Sequence, residues 1–388
     1  MSTPAQAASS GDVVVIDPVG AGYVETGRWI TGDAPSAVAV DRSGRVLVTV
    51  QDKVLVFTTS GTQTGAFVTD IGGDGITSGP DGSIYVSGFS EGVVQKHTAS
   101  GALVGSFTSE DFFAPWGLQT VPTTGQLWIA NSTGQEVDRV QPDAAPVGSY
   151  GTGNGQFDHP TDIGYGNGSM YVVDRDNYRV QRFSASTGAF QGAWGQSGYG
   201  PGQLHDPAAV DTTPDGRVLV LDSFMAQDSE LEQFTASGGY LGTSRIPASY
   251  VSGLATDAAG NVYIAGLVDY PQGGWGIVRM SPYHPPVVRH GVAKLKGKRV
   301  NANHKRKRAA LTLKCSKAGP CTGTVKVLRK GKKLAKGHYS LAAGHKGKQK
   351  VKLTGKARTL LRKKARVPVK VTWTTPKGTK KHKAVLTR

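Results

Sequence analysis

A turn glycine followed by a short run of β-branched or aromatic residues recurs six times, and no other feature of this chain limits its fold as strongly. The copies are Gly44-Arg45-Val46-Leu47-Val48, Gly82-Ser83-Ile84-Tyr85-Val86, Gly125-Gln126-Leu127-Trp128-Ile129, Gly168-Ser169-Met170-Tyr171-Val172, Gly216-Arg217-Val218-Leu219-Val220 and Gly260-Asn261-Val262-Tyr263-Ile264. Successive glycines lie 38, 43, 43, 48 and 44 residues apart. A strand often opened by Pro (Pro35, Pro115, Pro160, Pro207) precedes each copy, and a third strand such as Arg179-Val180-Gln181-Arg182-Phe183 or Leu231-Glu232-Gln233-Phe234 follows it. The fourth is marked by Gly, any residue, then an aromatic: Gly65-Ala66-Phe67, Gly105-Ser106-Phe107, Gly148-Ser149-Tyr150 and Gly192-Ala193-Trp194. Helices have almost no room.

Four short strands per period of about 40 residues predict an all-β, six-bladed β-propeller over residues 12–282. The last period has no Gly-x-aromatic mark, and the missing copy stands near the chain start as Gly27-Arg28-Trp29. The strand from Tyr23 to Ile30 is therefore expected to complete the last blade and remove a free sheet edge. Val13-Val14-Val15-Ile16 and Ile277-Val278-Arg279-Met280 both fit that blade's third strand, and the pattern leaves the choice open. Residues 1–11 read as a flexible N-terminus or signal-peptide remnant, since Ala5-Gln6-Ala7 before Ala8 looks like a cleavage site with no apolar core ahead of it.

Two stretches resemble NHL repeats. They are Gly153-Asn154-Gly155-Gln156-Phe157-Asp158-His159-Pro160 with Tyr171-Val172-Val173-Asp174-Arg175-Asp176-Asn177-Tyr178-Arg179-Val180-Gln181-Arg182-Phe183, and Gly200-Pro201-Gly202-Gln203-Leu204-His205-Asp206-Pro207 with Leu221-Asp222. The first, second and sixth units depart from the pattern, with Val50, Gly88 and Gly266 where the repeat has Asp. The resemblance implies a rigid platform that binds protein or other ligands; it carries fold better than function.

Charge divides the chain. From Arg289 onward stand 33 of the 45 Lys and Arg and none of the 28 Asp and Glu, so residues 1–288 keep 12 basic against 28 acidic side chains. A propeller of charge −16 repels polyanions, which argues against RNA binding by its Arg175, Arg179 and Arg182; the two strand arginines are expected to pair with nearby aspartates. Candidate rim residues are Asn131, Asp174, Arg175, Asn177, Arg179 and Asp222, with the strand-end Asp and Asn side chains expected to accept hydrogen bonds from turn N–H groups. His97, His159, His205 and His284 show no metal-ligand spacing, Glu230 and Glu232 read as solvated charge, and the Gly-rich strings at 72–75 and 195–200 lack the helix that phosphate binding needs. No catalytic residue, metal ligand or cofactor is assigned. The alternative is a lactonase-like hydrolase or lyase with Ca or Zn in the central channel.

Residues 283–308 read as a Pro-containing basic linker, and 309–388 as a basic β-sandwich of about seven strands, with one short helix presenting Ala357, Leu360, Leu361 and Lys364. The block resembles immunoglobulin-like modules of secreted bacterial proteins. Cys315 and Cys321 are the only cysteines and are expected to form a disulfide in an oxidising compartment. A +33 module favours anionic polymers or surfaces, and with only Tyr339 and Trp373 as aromatics it lacks a platform for stacking bases. The expectation is an extracellular or cell-surface, non-enzymatic binding protein. Its propeller rim meets a protein or glycan, its basic end meets cell-envelope polyanions, and neither sequence-specific nucleic acid nor a transmembrane segment is involved.

Overall fold

The computed structural model describes residues 22–108, 114–140, 144–223, 229–268, 274–283, 294–303, 308–316, 321–342, 345–364, 366–375 and 378–387. The chain divides into two compact units, 1–284 and 285–388.

The first unit is a ring of six four-stranded antiparallel sheets. After β1 (Tyr23–Ile30), blade 1 holds β2 (Pro35–Val40), β3 (Val46–Val50), β4 (Lys53–Phe57) and β5 (Gln63–Val68). Blade 2 holds β6 (Gly75–Ser78), β7 (Ile84–Gly88), β8 (Val93–His97) and β9 (Leu103–Thr108), and blade 3 holds β10 (Pro115–Thr120), β11 (Leu127–Asn131), β12 (Glu136–Val140) and β13 (Ala144–Val147). Blade 4 is β14 (Pro160–Gly166), β15 (Ser169–Asp174), β16 (Arg179–Ser184) and β17 (Phe190–Trp194), and blade 5 is β18 (Pro207–Thr212), β19 (Val218–Asp222), β20 (Glu230–Phe234) and β21 (Tyr240–Arg245). Blade 6 combines β22 (Ser249–Thr256), β23 (Val262–Leu267) and β24 (Trp275–Pro282) with β1 as its outer strand. Trp29 stands opposite Ile277, so β24 is the third strand of that blade; residues 13–16 lie outside the described residues, as does all of 1–21.

The second strands are buried along their length and mostly apolar on both faces, polar only at positions such as Thr49, Ser87, Asn131, Asp174 and Asp222, because each is sandwiched between neighbouring blades. The marked aromatics of the outer strands sit beneath left-handed glycines of the next blade. Trp29 lies under Gly61 (φ +86°), Phe67 under Gly101 (φ +93°) and Trp194 under Gly238 (φ +88°), and a β-carbon on any of these glycines would collide with the ring. Blade 3 departs from the expected pattern. Its outer strand ends at Val147, which itself packs under Gly188, so Tyr150 belongs to the following loop and is exposed.

In the second unit, seven strands form a closed barrel rather than the expected sandwich. They are β25 (Lys294–Asn303), β26 (Arg308–Lys314), β27 (Cys321–Arg329), β28 (Lys332–Leu341), β29 (Lys346–Leu353), β30 (Arg366–Thr375) and β31 (Gly378–Thr387), in the spatial order β25-β26-β29-β28-β27-β30-β31. The reason is β25, which forms inside the stretch read as linker. It pairs antiparallel with β26 and parallel with β31, Val300 opposite Leu386, and so joins what would have been two free edges. Helix α1 (Gly355–Lys363), capped by Thr354, buries Ala357 and Leu361 against the barrel core. Cys315 and Cys321 are disulfide-bonded and buried.

Candidate functional site

The first strands of all six blades line a central cavity of about 310 Å³. Its polar groups stitch neighbouring blades together. Asp162 on β14 accepts a hydrogen bond from the Val210 N–H on β18 at 2.9 Å, and Asp211 on β18 accepts from the Thr256 N–H on β22 at 2.7 Å. The hydroxyls of Thr120, Thr161 and Ser252 donate to carbonyls of Ser78, Ala208 and Pro35, the last across the seam between blades 6 and 1. Asp162 and Asp211 lie deep inside the ring but keep some surface because they face the cavity. Burial pushes their carboxyls up to about 7 and about 6 respectively, with the charge of Asp211 adding to the rise at Asp162. Neither aspartate stood out in the sequence, since they occupy different positions of their repeats; the available signal was an ionisable residue inside an otherwise apolar inner strand.

Connections from outer strand to next blade, and turns between second and third strands, open on one rim of an antiparallel propeller. Most of the predicted site residues converge there, with their polar atoms committed inward. Asp174, fully buried, accepts from the Asp158 N–H (2.7 Å), Asn177 Nδ2, Gln181 Nε2 and Arg179 Nε (2.6 Å). Arg179 also donates to the carbonyls of Thr152, Gly153 and Gln156, each at 2.8 Å, which clamps the loop ahead of β14 from within. Burial raises the Asp174 carboxyl, opposed by these donors. Asp222 receives the N–H groups of His205 and Asp206, and burial pushes it up to about 6. These donors come from the loop entering the blade rather than from the turn that follows the strand. Asn131 Nδ2 donates to Asp138, and Arg175 ties its turn to the next loop through Asp206 at 2.7 Å. Arg182 donates to the Ala236 carbonyl rather than pairing with an aspartate.

Aromatic residues not named among the rim candidates supply the exposed face of this rim. Tyr150 and Tyr199 are 68% and 74% exposed, and Tyr178 is partly so; Tyr199 stacks on His205 with ring centroids 4.5 Å apart. The available signal was an aromatic in a Gly-rich string at Tyr199; Tyr150 was read instead as an outer-strand mark. The structure also gathers Asp158, His159 and Asp176, with His159 Nδ1 2.8 Å from Asp176 and 3.1 Å from Asp158, a trio not evident from spacing in which His159 and Asp176 are exposed and Asp158 is half-buried. His97 is buried, its ring nitrogens bonded to the Gly101 carbonyl and Gln95. His284 is outside the described residues. Glu232 is not solvated: it is 3% exposed, bonded by the Thr243 hydroxyl, and pushed up to about 8 by burial because its face of β20 packs between blades. Among the described residues no helix is long and apolar enough to cross a membrane.

No protein-family model matches the chain. Human NHL repeat-containing protein 3 is 30% identical over 152 residues, which cover 35% of this chain and 42% of that protein. The match thus spans about two fifths of the relative's length. Among solved structures, a gluconolactonase from Xanthomonas campestris superposes with a TM-score of 0.51 at 13% identity, covering 69% of this chain and 99% of that one. A virginiamycin B lyase from Staphylococcus aureus gives 0.46 at 14% identity, covering 69% and 89%. These structural likenesses concern the fold alone.

Proposed function

We propose that this chain is an exported, non-catalytic binding protein. The rim of an NHL-like propeller engages a protein or glycan, and the basic barrel retains the protein on anionic polymers of the cell envelope. One observation carries the reading: the loops bearing Tyr150 and Tyr199 are braced from inside by Asp174, Arg179 and Asp222, so an exposed aromatic surface is held in place before any partner arrives. Tyrosines offer large contact area at low entropic cost and suit both protein surfaces and sugar rings. The buried disulfide supports an oxidising compartment. The test is titration of the immobilised full chain with arrayed glycans and purified envelope proteins. Saturable binding that disappears in the triple variant Tyr150→Ser, Tyr178→Ser, Tyr199→Ser, at unchanged melting temperature, is expected; binding that survives the triple change overturns the rim assignment.

A second reading, a hydrolase or lyase using a cation in the channel, is favoured by one feature, the two aspartates lining the cavity. Against it, Asp162 and Asp211 already accept backbone hydrogen bonds from the next blade, and the described lining includes no histidine.

A further inference from the structure

The barrel's strand register places its basic residues side by side. Arg308 on β26 is opposite Lys352 on β29; Lys352 is opposite Lys336 on β28; Lys336 is opposite Lys326 on β27. The register then passes the buried Thr372 on β30, which interrupts the row, to Lys381 on β31, and the adjacent row brings Lys370 opposite Lys383. Residues directly opposite share a face, and all the cations named are exposed. Neighbouring strands lie about 4.8 Å apart, so four successive cations stand at roughly that interval. Like charges placed opposite one another destabilise a sheet, and from residue 289 onward the chain has no Asp or Glu to offset them.

We infer that this row is a binding track for a linear, flexible, phosphate-bearing polymer that crosses the strands and follows the curve of the barrel. The inference rests on the retention role proposed above and gives it a site and a ligand chemistry. A bilayer or a stiff double helix, whose persistence length is about 150 base pairs, touches a curved row only along a tangent. A single-stranded nucleic acid or a sugar chain gains much of its affinity by stacking on exposed aromatics. Tyr339 and Trp373, the two aromatics of this module, are buried. Lysine ammonium groups act as point charges toward phosphate and need no planar geometry.

The experiment measures binding of long-chain inorganic polyphosphate to the full chain across a salt series. It compares Lys326→Gln/Lys336→Gln/Lys352→Gln with a charge-matched control on α1 and its C-cap, Arg362→Gln/Lys363→Gln/Lys364→Gln. The slope of log affinity against log salt should fall in magnitude by about 2 in the row variant, at ~0.7 per lost phosphate contact, with a clearly smaller change in the control. Equal losses in the two variants overturn the track while leaving polyanion retention standing. No binding of polyphosphate by the unaltered chain overturns both. Retention on vesicles of anionic phospholipid without polyphosphate binding replaces the polymer with a membrane surface and overturns the inference.

Discussion

Asp174 shows how one side chain can determine the shape of a rim. Its carboxylate has no exposed surface and accepts from four donor groups, the Arg179 guanidinium among them. Asp174→Ala strands a partly buried arginine and several N–H groups. Equilibrium denaturation should register a loss of about 3–5 kcal/mol, the cost of breaking a buried ion pair. Asp162 makes a different prediction. Burial lifts its carboxyl from an ordinary value of 3.8 to about 7, so between those pH values the folded chain retains a proton that the unfolded chain has released. Its contribution is complete below the unfolded value and is lost as pH rises through about 7. Melting temperatures of the Asp162→Asn variant should therefore fall less than those of the parent between pH 4 and pH 8; parallel curves would show that this carboxyl does not titrate in that range. The residue scale was also where the sequence was least legible. Asp174 and Asp222 could be named because they close repeated strands, whereas Asp162 went unnamed and Glu232 was read as solvated charge. Their burial depends on which neighbouring blade they face, and nothing in the local sequence records that.

At the level of elements, the repeat made the blades readable. A glycine turn and a Gly-x-aromatic mark are local requirements, satisfied wherever an outer-strand ring packs under a left-handed glycine, as Trp29, Phe67 and Trp194 do. Where another residue fills that place, as Val147 does under Gly188, the pattern slid forward onto the loop residue Tyr150. Strand β1 pairs with β24 along nearly its whole length, and Trp29 lies near both Phe57 of blade 1 and Tyr263 of blade 6. Blade 6 without β1 would expose the edge of β24. Removing residues 1–30 should consequently replace a single cooperative melting transition of the propeller with a broad or aggregating one, followed by circular dichroism. An unaltered transition would mean that the other five blades and β22–β24 suffice.

At the scale of the molecule, the division into an acidic propeller and a basic barrel follows directly from composition, while the barrel's closure does not. β25 is mostly Lys, Arg and Asn, with Leu, Gly, Val and Ala between them, a composition that reads as linker until its two partners, β26 and β31, are in place. The choice between binding and catalysis is decided at the channel. Under the proposed function its aspartates serve the ring itself, and partners are met elsewhere. Elemental analysis of the purified full chain after dialysis, alongside Asp162→Asn and Asp211→Asn, tests this most directly. Calcium and zinc well below one equivalent are expected in all three proteins. One equivalent in the parent that is lost from either variant would contradict the proposed function.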